Sequence, residues 1–174
     1  GDLPNVYLDN VYFYIARKEA TVAPTVAAPT PTRSAANVIS IFSDAYTNVA
    51  GTDFNPNWGQ ATKVTQLQIA GNNTLRYENL NYQGTQFGSN LNVSSMTHLH
   101  LDFWSKNSSS LNGFIISPGP VEKAVALTVP TNGWTSVDIP LSSFSPVALN
   151  DLIQFKFDGN GDIYLDNIYF YKNP

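Results

Sequence analysis

One short segment, His98-Leu99-His100-Leu101-Asp102-Phe103-Trp104, combines residue types that can bind a metal, move a proton or stack on a ring. Strict alternation of apolar and polar residues predicts a β-strand with one buried face. Leu99, Leu101 and Phe103 would face the core, and the other face would carry His98, His100, Asp102 and Trp104. An aromatic ring stacks on the apolar C–H face of a pyranose, while polar groups bond its hydroxyls. The polar face is therefore predicted to be a recognition surface.

A second strand, Leu152 to Asp158, would extend that surface if it lay beside the first. Its alternation turns Ile153, Phe155 and Phe157 inward and leaves Gln154, Lys156 and Asp158 outside. Loops on either side would add further aromatic and amide groups. The full set of predicted ligand-binding residues is Trp104, Asp102, His100, Trp58, Tyr46, Tyr82, Gln83, Gln154 and Lys156.

Catalysis fits these residues less well than binding does. Successive side chains on one strand face lie about 6–7 Å apart, so His98, His100 and Asp102 do not readily converge on one ion. Glycoside cleavage needs a carboxylate pair with one raised pKa, and Glu19, Glu78 and Glu122 show no such setting. A lyase that uses Lys156 and Tyr82 stays open. The prediction is that the chain is not an enzyme.

Composition narrows the class of partner. Charged residues make up 13% of the 174 residues, aromatic residues another 13%, and the formal net charge is −4. Nucleic acid favours clustered Lys and Arg, so it is not expected as a partner. The chain has no cysteine, which excludes disulfides and thiolate metal sites. No apolar run reaches the roughly 18 residues of a membrane span.

A repeat divides the chain. The eight residues from Tyr7 to Tyr14 match those from Tyr164 to Tyr171 except for Val11 in place of Ile168, which indicates tandem copies of one unit. Between them, residues 20–32 are rich in Pro and Thr, which is typical of an extended, poorly packing linker. We predict a strand left from a preceding module over residues 1–16, a linker over 17–36 and a complete module over 37–174.

The module is predicted to be all-β. Apolar alternation and the intervening Gly, Pro and Asn turn signals indicate an antiparallel sandwich or barrel. The candidate strands are residues 38–42, 63–69, 74–82, 98–104, 113–117, 125–129, 135–140, 152–158 and 162–171.

Four motifs resemble the β-jelly-roll carbohydrate-binding modules of the galactose-binding-like superfamily, of the type seen in families 4, 16 and 22. They are Ile41-Phe42-Ser43-Asp44, Asn57-Trp58-Gly59, the segment from Gly133 to Leu141, and Tyr164-Leu165-Asp166-Asn167-Ile168. The resemblance covers residues 37–172 and implies a jelly-roll β-sandwich. It also implies one structural calcium between the loop after the first strand and the Asp of the last strand. Asp44 and Asp166 match these positions, and Asp53 is a substitute from the same loop.

The resulting expectation is non-catalytic polysaccharide binding by one module of a secreted or cell-surface bacterial protein. Tandem modules would act together through effective concentration. A platform with one Lys and one Asp suits a neutral chain better than a polyanion. The resemblance favours a β-glucan such as β-1,3-glucan. The alternative is a structural or adhesion β-sandwich that binds a protein partner or the neighbouring module.

Overall fold

The computed structural model describes residues 23–130 and 133–173. Its strands are β1 Val38–Phe42, β2 Lys63–Ile69, β3 Asn72–Glu78, β4 Tyr82–Leu91, β5 His98–Ser105, β6 Leu111–Ser117, β7 Val121–Leu127, β8 Thr135–Pro140, β9 Leu152–Gly159 and β10 Ile163–Tyr171. Two 3-10 helices, Ala35–Asn37 and Leu141–Phe144, complete the described elements. None of the helices in this part of the chain is long and apolar enough to cross a membrane.

The strands form two antiparallel sheets that pack face to face. One sheet has the order β2-β3-β10-β5-β8, with β1 also paired to β10; the other has the order β4-β9-β6-β7. Apolar side chains of the two inner faces make one core, which includes Leu101, Phe103, Phe155 and Phe157. This is a jelly-roll β-sandwich, so the predicted all-β fold is confirmed.

β10 is the central strand of the larger sheet, and all nine of its residues are buried. Its register against β5 shifts between Asp166 and Tyr169, and Asn167 has a left-handed φ of 50°. This bulge resets the alternation, so that Leu165 and Ile168 both face the core. Asp166 and Asn167 therefore lie at a bulge in the central strand of this sheet.

The predicted strand over residues 74–82 is in fact the end of one strand and the start of another. β3 ends at Glu78 in the six-stranded sheet, and β4 begins at Tyr82 in the four-stranded sheet. Asn79, with φ 52°, stands at the crossing. The rest of β4 was not predicted as a strand, because its glycine and amide residues interrupt the apolar–polar alternation that marks a strand.

The described part of the Pro/Thr-rich segment, residues 23–34, has no helix or strand. It nevertheless lies against the outer face of the six-stranded sheet, where Ala28 is buried and Asn167 Nδ2 donates to the Pro29 carbonyl at 2.8 Å. The expectation of poor packing was therefore wrong for these residues. Residues 1–16, with the first copy of the repeat, lie outside the described residues.

Candidate functional site

The outer face of the four-stranded sheet carries aligned rows of side chains. Lys156 on β9 pairs with Gly84 on β4 and with Phe114 on β6, and Gln154 pairs with Gln86 and Ile116 in the next row. Residues paired across antiparallel strands point to the same face. Since Phe155 and Phe157 fill the core, Gln154, Lys156 and Asp158 face outward, as predicted. The inward residue at the start of β9 is Leu152, while Ile153 is half-buried.

A groove of about 540 Å³ runs over these rows. Its lining combines aromatic and aliphatic side chains with carboxylate, amide and ammonium groups. Its lining consists of Trp58, Asn81, Tyr82, Ile116, Pro120, Glu122, Gln154, Lys156 and Asp158. A concave surface with apolar walls and a few converging polar groups is the usual form of a small-ligand or oligosaccharide site.

Trp58 lies on the sheet because β4 has a glycine beneath it. A Cβ built on Gly84 would stand 2.3 Å from Cζ3 of Trp58 and 2.5 Å from Cε3 and Cη2. Such similar distances to three consecutive ring atoms mean that Gly84 lies under the face of the ring, not at its edge. The opposite face of the indole is therefore directed away from the sheet.

Hydrogen bonds fix the backbone around Trp58. The Tyr82 hydroxyl donates to the Trp58 carbonyl at 2.8 Å, and the Trp58 N–H donates to Gln60 Oε1 at 2.8 Å. The Gln60 amide in turn donates to the Pro56 carbonyl at 2.8 Å. The aromatic wall is thus held in place before any ligand arrives.

The charged groups inside the groove have partners: Lys156 pairs with Glu122, and Asp158 accepts a hydrogen bond from a neutral amide. Lys156 Nζ lies 2.6 Å and 2.7 Å from the two carboxylate oxygens of Glu122 and 4.0 Å from the centroid of the Phe114 ring. Asn112 Nδ2 donates to Asp158 at 2.7 Å. Among the described residues that line the groove, Lys156 is the only basic one. The groove therefore offers no concentration of positive charge.

The predicted platform around Trp104 is wrong as a single surface. β5 and β9 belong to different sheets, so their outward residues lie on opposite faces of the sandwich. Trp104 and Asp102 are also buried, at 8% and 1% exposure, and Trp104 packs edge-to-face on Tyr164 at 5.5 Å. Residues 23–34 lie over part of this face, where they and His100 line the same cavity. Trp104, Asp102 and His100 are thus separated from Gln154 and Lys156.

His100 lies in a polar network beneath residues 23–34. Its Nδ1 is 2.7 Å from Asp138 Oδ1, its Nε2 is 3.5 Å from Asp102 Oδ1, and its ring stacks on Tyr169 at 4.6 Å. Burial lowers the pKa of His100, but hydrogen bonds and the charges of Asp102 and Asp138 outweigh it and raise the pKa overall.

Two further predicted ligand residues also fall outside the groove. Gln83 has no exposed surface and pairs with core residue Phe157, so its amide faces inward and donates to the Gly84 carbonyl. Tyr46 packs on Tyr169 at 5.3 Å, on the side of the six-stranded sheet. The structure thus brings together Trp58, Tyr82, Gln154 and Lys156 and separates the other five.

Of the three candidate calcium ligands, Asp44 and Asp166 lie close together and Asp53 lies apart from them. Asp44 and Asn167 line a cavity of about 160 Å³ with Asn72, and Asn72 donates to the buried carboxylate of Asp166. Burial raises the pKa of Asp166 to about 7, and the nearby charges of Asp102 and Asp44 add to the rise. Asp53 instead bridges to Gln86 of the four-stranded sheet and accepts from the Asn55 N–H.

The donor chemistry of this cavity suits calcium, which prefers carboxylate, amide and carbonyl oxygens. The carboxylates of Asp44 and Asp166 accept from the side chains of Asn73 and Asn72, respectively. A rotation of the Asn72 side-chain amide by 180° would exchange its nitrogen and oxygen. The amide would then present an oxygen to the cavity in place of the nitrogen that now donates to Asp166. Within the described ranges, no three His, Cys, Asp or Glu side chains are grouped to hold a metal, so amide or backbone oxygens would have to complete the ligands.

Sequence reasoning missed Glu122, Asn81, Ile116 and Pro120 as groove residues. Glu122 and Pro120 come from the turn and the edge strand that follow β6, and Asn81 comes from the crossing between the sheets. Period-2 alternation does signal an outward Glu122, but the predicted strand began only at Val125. The side chains meet through the pairing of β6 with both β7 and β9.

The β-jelly-roll fold of this chain is similar to the fold of several solved carbohydrate-binding modules. The solved structures with this fold include the family 11 carbohydrate-binding module from Clostridium thermocellum in complex with a β-1,3-1,4-mixed-linked tetrasaccharide. It is 18% identical, covers 78% of this chain and 96% of its own, and gives a TM-score of 0.55. The family 30 module of a cellulosomal cellulase of Clostridium thermocellum is 17% identical over 78% and 98% of the chains, with a TM-score of 0.52.

A further neighbour, a family 28 module specific for non-crystalline cellulose, is 16% identical over 83% of this chain and 98% of its own, with a TM-score of 0.52. No protein-family model matches the chain, and no curated protein sequence matches it significantly. At these identities the similarity shows the fold alone, and the predicted jelly-roll fold is confirmed. A specific relation to families 4, 16 or 22 stays a prediction.

Proposed function

We propose that the chain binds a polysaccharide without cleaving it, through the groove on the four-stranded sheet. The observation that carries this proposal is the indole of Trp58, which has one face over Gly84 and turns the other away from the sheet, in the groove that it lines. That face would stack on the C–H face of a pyranose. Gln154, Asp158 and Asn81, which line the same groove, would bond the sugar hydroxyls.

The proposed ligand is a β-glucan such as β-1,3-glucan. Lys156 is already paired with Glu122, and Asp158 adds a second carboxylate, so a uronate or sulfated chain would meet net negative charge. A neutral glucan meets no such repulsion. The neighbour from family 11 holds a β-1,3-1,4-linked tetrasaccharide, which supports a glucan of related linkage.

Native affinity electrophoresis tests the proposal against β-1,3-glucan, mixed-linkage β-glucan, xylan, alginate and agar. We expect retardation by a β-glucan and loss of most of it in Trp58→Ala. Trp104→Phe, on the opposite face, is the matched control and should be retarded like the native chain. Folded native protein that no glycan retards would contradict the proposal and favour a module that binds a protein partner.

The proposal includes a structural calcium held by Asp44 and Asp166, at the far side of the sandwich from the groove. When bound, the ion would neutralise the buried carboxylate of Asp166 and tie the loop after β1, which carries the exposed Asp44, to β10. It takes no part in sugar binding. We further propose that the module belongs to a secreted or cell-surface bacterial protein, with a second module before residue 17.

A further inference from the structure

We infer that residues 23–34 are a strap that belongs to the folded module and that the outer face of the six-stranded sheet is its receptor. The folded module would then begin near residue 23 rather than at residue 37. The part of the predicted linker that forms the strap would be held on the module. The inference does not depend on the proposed sugar site, because the groove lies on the other sheet.

Backbone carbonyls of the strap accept hydrogen bonds from three separate parts of the module. Trp134 Nε1 donates to the Val26 carbonyl at 2.9 Å, Asn167 Nδ2 to the Pro29 carbonyl at 2.8 Å, and the Tyr46 hydroxyl to the Arg33 carbonyl at 3.0 Å. Because each of its prolines lacks an N–H, the strap has more backbone acceptors than backbone donors. The three donors match that chemistry.

The end of the strap is held by its side chain as well. The guanidinium carbon of Arg33 lies 3.4 Å from the centroid of the Tyr171 ring, and Arg33 Nη2 lies 3.6 Å from Asp138 Oδ2. Tyr171 itself stacks on His98 at 5.0 Å. A guanidinium that stacks on an aromatic face and pairs with a carboxylate is a specific contact, one that Lys would not reproduce.

The internal repeat contains the same receptor residues. Asn167 and Tyr171, which contact the strap, correspond to Asn10 and Tyr14 in the first copy. The one position at which the two copies differ, Val11 against Ile168, belongs to the core, whereas both positions that contact the strap are identical. The repeated sequence therefore includes the strap-contacting positions as well as the core positions of β10.

Tryptic cleavage after Arg33 tests the inference in the full chain, with the peptide of residues 27–40 as the unprotected reference. A bound strap exposes this bond only through local opening, so we expect cleavage at least about 100-fold slower than in the peptide. Tyr46→Phe removes one donor to the Arg33 carbonyl and should speed cleavage several-fold. Tyr82→Phe removes a comparable hydroxyl from the groove and should leave the rate unchanged.

Cleavage of the native chain at nearly the rate of the peptide would overturn the inference. Equal acceleration by Tyr46→Phe and Tyr82→Phe would also overturn it, since it would mean general destabilisation rather than release of the strap. Retardation by glucan should be the same in Tyr46→Phe and in the native chain. Failure of the sugar proposal alone would leave the protection of Arg33 intact.

Discussion

Trp58 and Gly84 act as a pair, although 26 positions separate them in the chain. The absence of a side chain at position 84 lets the indole rest on the backbone of β4. Any Cβ there would overlap three ring atoms, and the ring would have to move away from the sheet. The depth of the groove beside Trp58 is therefore set by a residue that would not itself contact the sugar.

Gly84→Ala is expected to weaken β-glucan binding by about tenfold, or about 1.4 kcal/mol, because the indole is displaced from its stacking position. Titration calorimetry with the glucan retained in electrophoresis measures this change. Gly113→Ala on β6 is the matched control, since its new methyl would meet Phe157 at an ordinary 3.5 Å. Equal affinities for Gly84→Ala and Gly113→Ala would show that Trp58 does not contact the glucan.

His100 makes the stability of the strap face dependent on pH. Asp138 on β8, Asp102 on β5, Arg33 of the strap and Tyr169 on β10 surround the imidazole. Its pKa is raised in the folded chain, so its stabilising contribution is complete below the ordinary pKa near 6.5 and is lost as pH rises through the folded value.

The melting temperature of the native chain should therefore exceed that of His100→Gln by more at about pH 5.5 than at about pH 8.5. Thermal melts of both proteins across this range measure the difference. His98→Gln is the control, because the neighbouring imidazole lacks the two carboxylate partners. A gap between native chain and His100→Gln that does not change with pH would contradict the prediction.

At the scale of the element, β10 depends on its bulge. Asn167 accepts from Ser43 Oγ at 2.7 Å and donates to Asp102 at 2.7 Å and to the Pro29 carbonyl. One residue thus joins β10 to the loop after β1, to β5 and to the strap. Its left-handed backbone conformation also shifts the alternation that places Leu165 and Ile168 in the core.

Asn167→Ala should lower the free energy of unfolding by about 2–4 kcal/mol, through lost buried hydrogen bonds and left-handed strain. Asn167→Gly loses the same hydrogen bonds without the strain, so it should be more stable than the alanine variant by about 1 kcal/mol. Urea denaturation of both variants measures the two contributions. An alanine variant as stable as the native chain would contradict this role for the bulge.

At the scale of the whole molecule, the two outer faces have different roles. The four-stranded sheet presents a groove, whereas the six-stranded sheet is covered in part by the strap and has the buried carboxylates of Asp102 and Asp166 at its bulge. The exposed Asp44 lies near them. Burying like charges together is costly unless they are protonated or neutralised by a cation. The calcium proposal follows from that cost.

Chelation should lower the melting temperature of the native chain if a calcium is held by Asp44 and Asp166, because a ligand that binds the folded state stabilises it. Scanning calorimetry with calcium and with EGTA measures the shift. Asp166→Asn should lose the response, and Asp53→Asn should keep it, since Asp53 lies at the other sheet. An identical melting temperature in calcium and in EGTA would contradict a tightly held ion.

Prediction from sequence was most successful where a single strand carries the information. Leu99, Leu101 and Phe103 are core residues as predicted, and Gln154, Lys156 and Asp158 face outward as predicted. It failed at β4, where Gly84 and Gly88 interrupt any apolar alternation. Both glycines are required by distant neighbours, Trp58 and the backbone of Ala50 and Gly51, respectively. No local pattern reports such contacts.

The amino-acid sequence alone determined the all-β class and the core-facing side of most strands, because both depend on an alternation with a period of two. It also showed the repeat of the last strand, because the two copies are nearly identical in sequence. Only the tertiary structure decided which strands are neighbours. β5 and β9 have equally polar outer faces, yet one lies under the strap and the other forms the groove with Trp58. That difference arises from long-range pairing through β10 and β6, and no local alternation encodes the sheet to which a strand belongs.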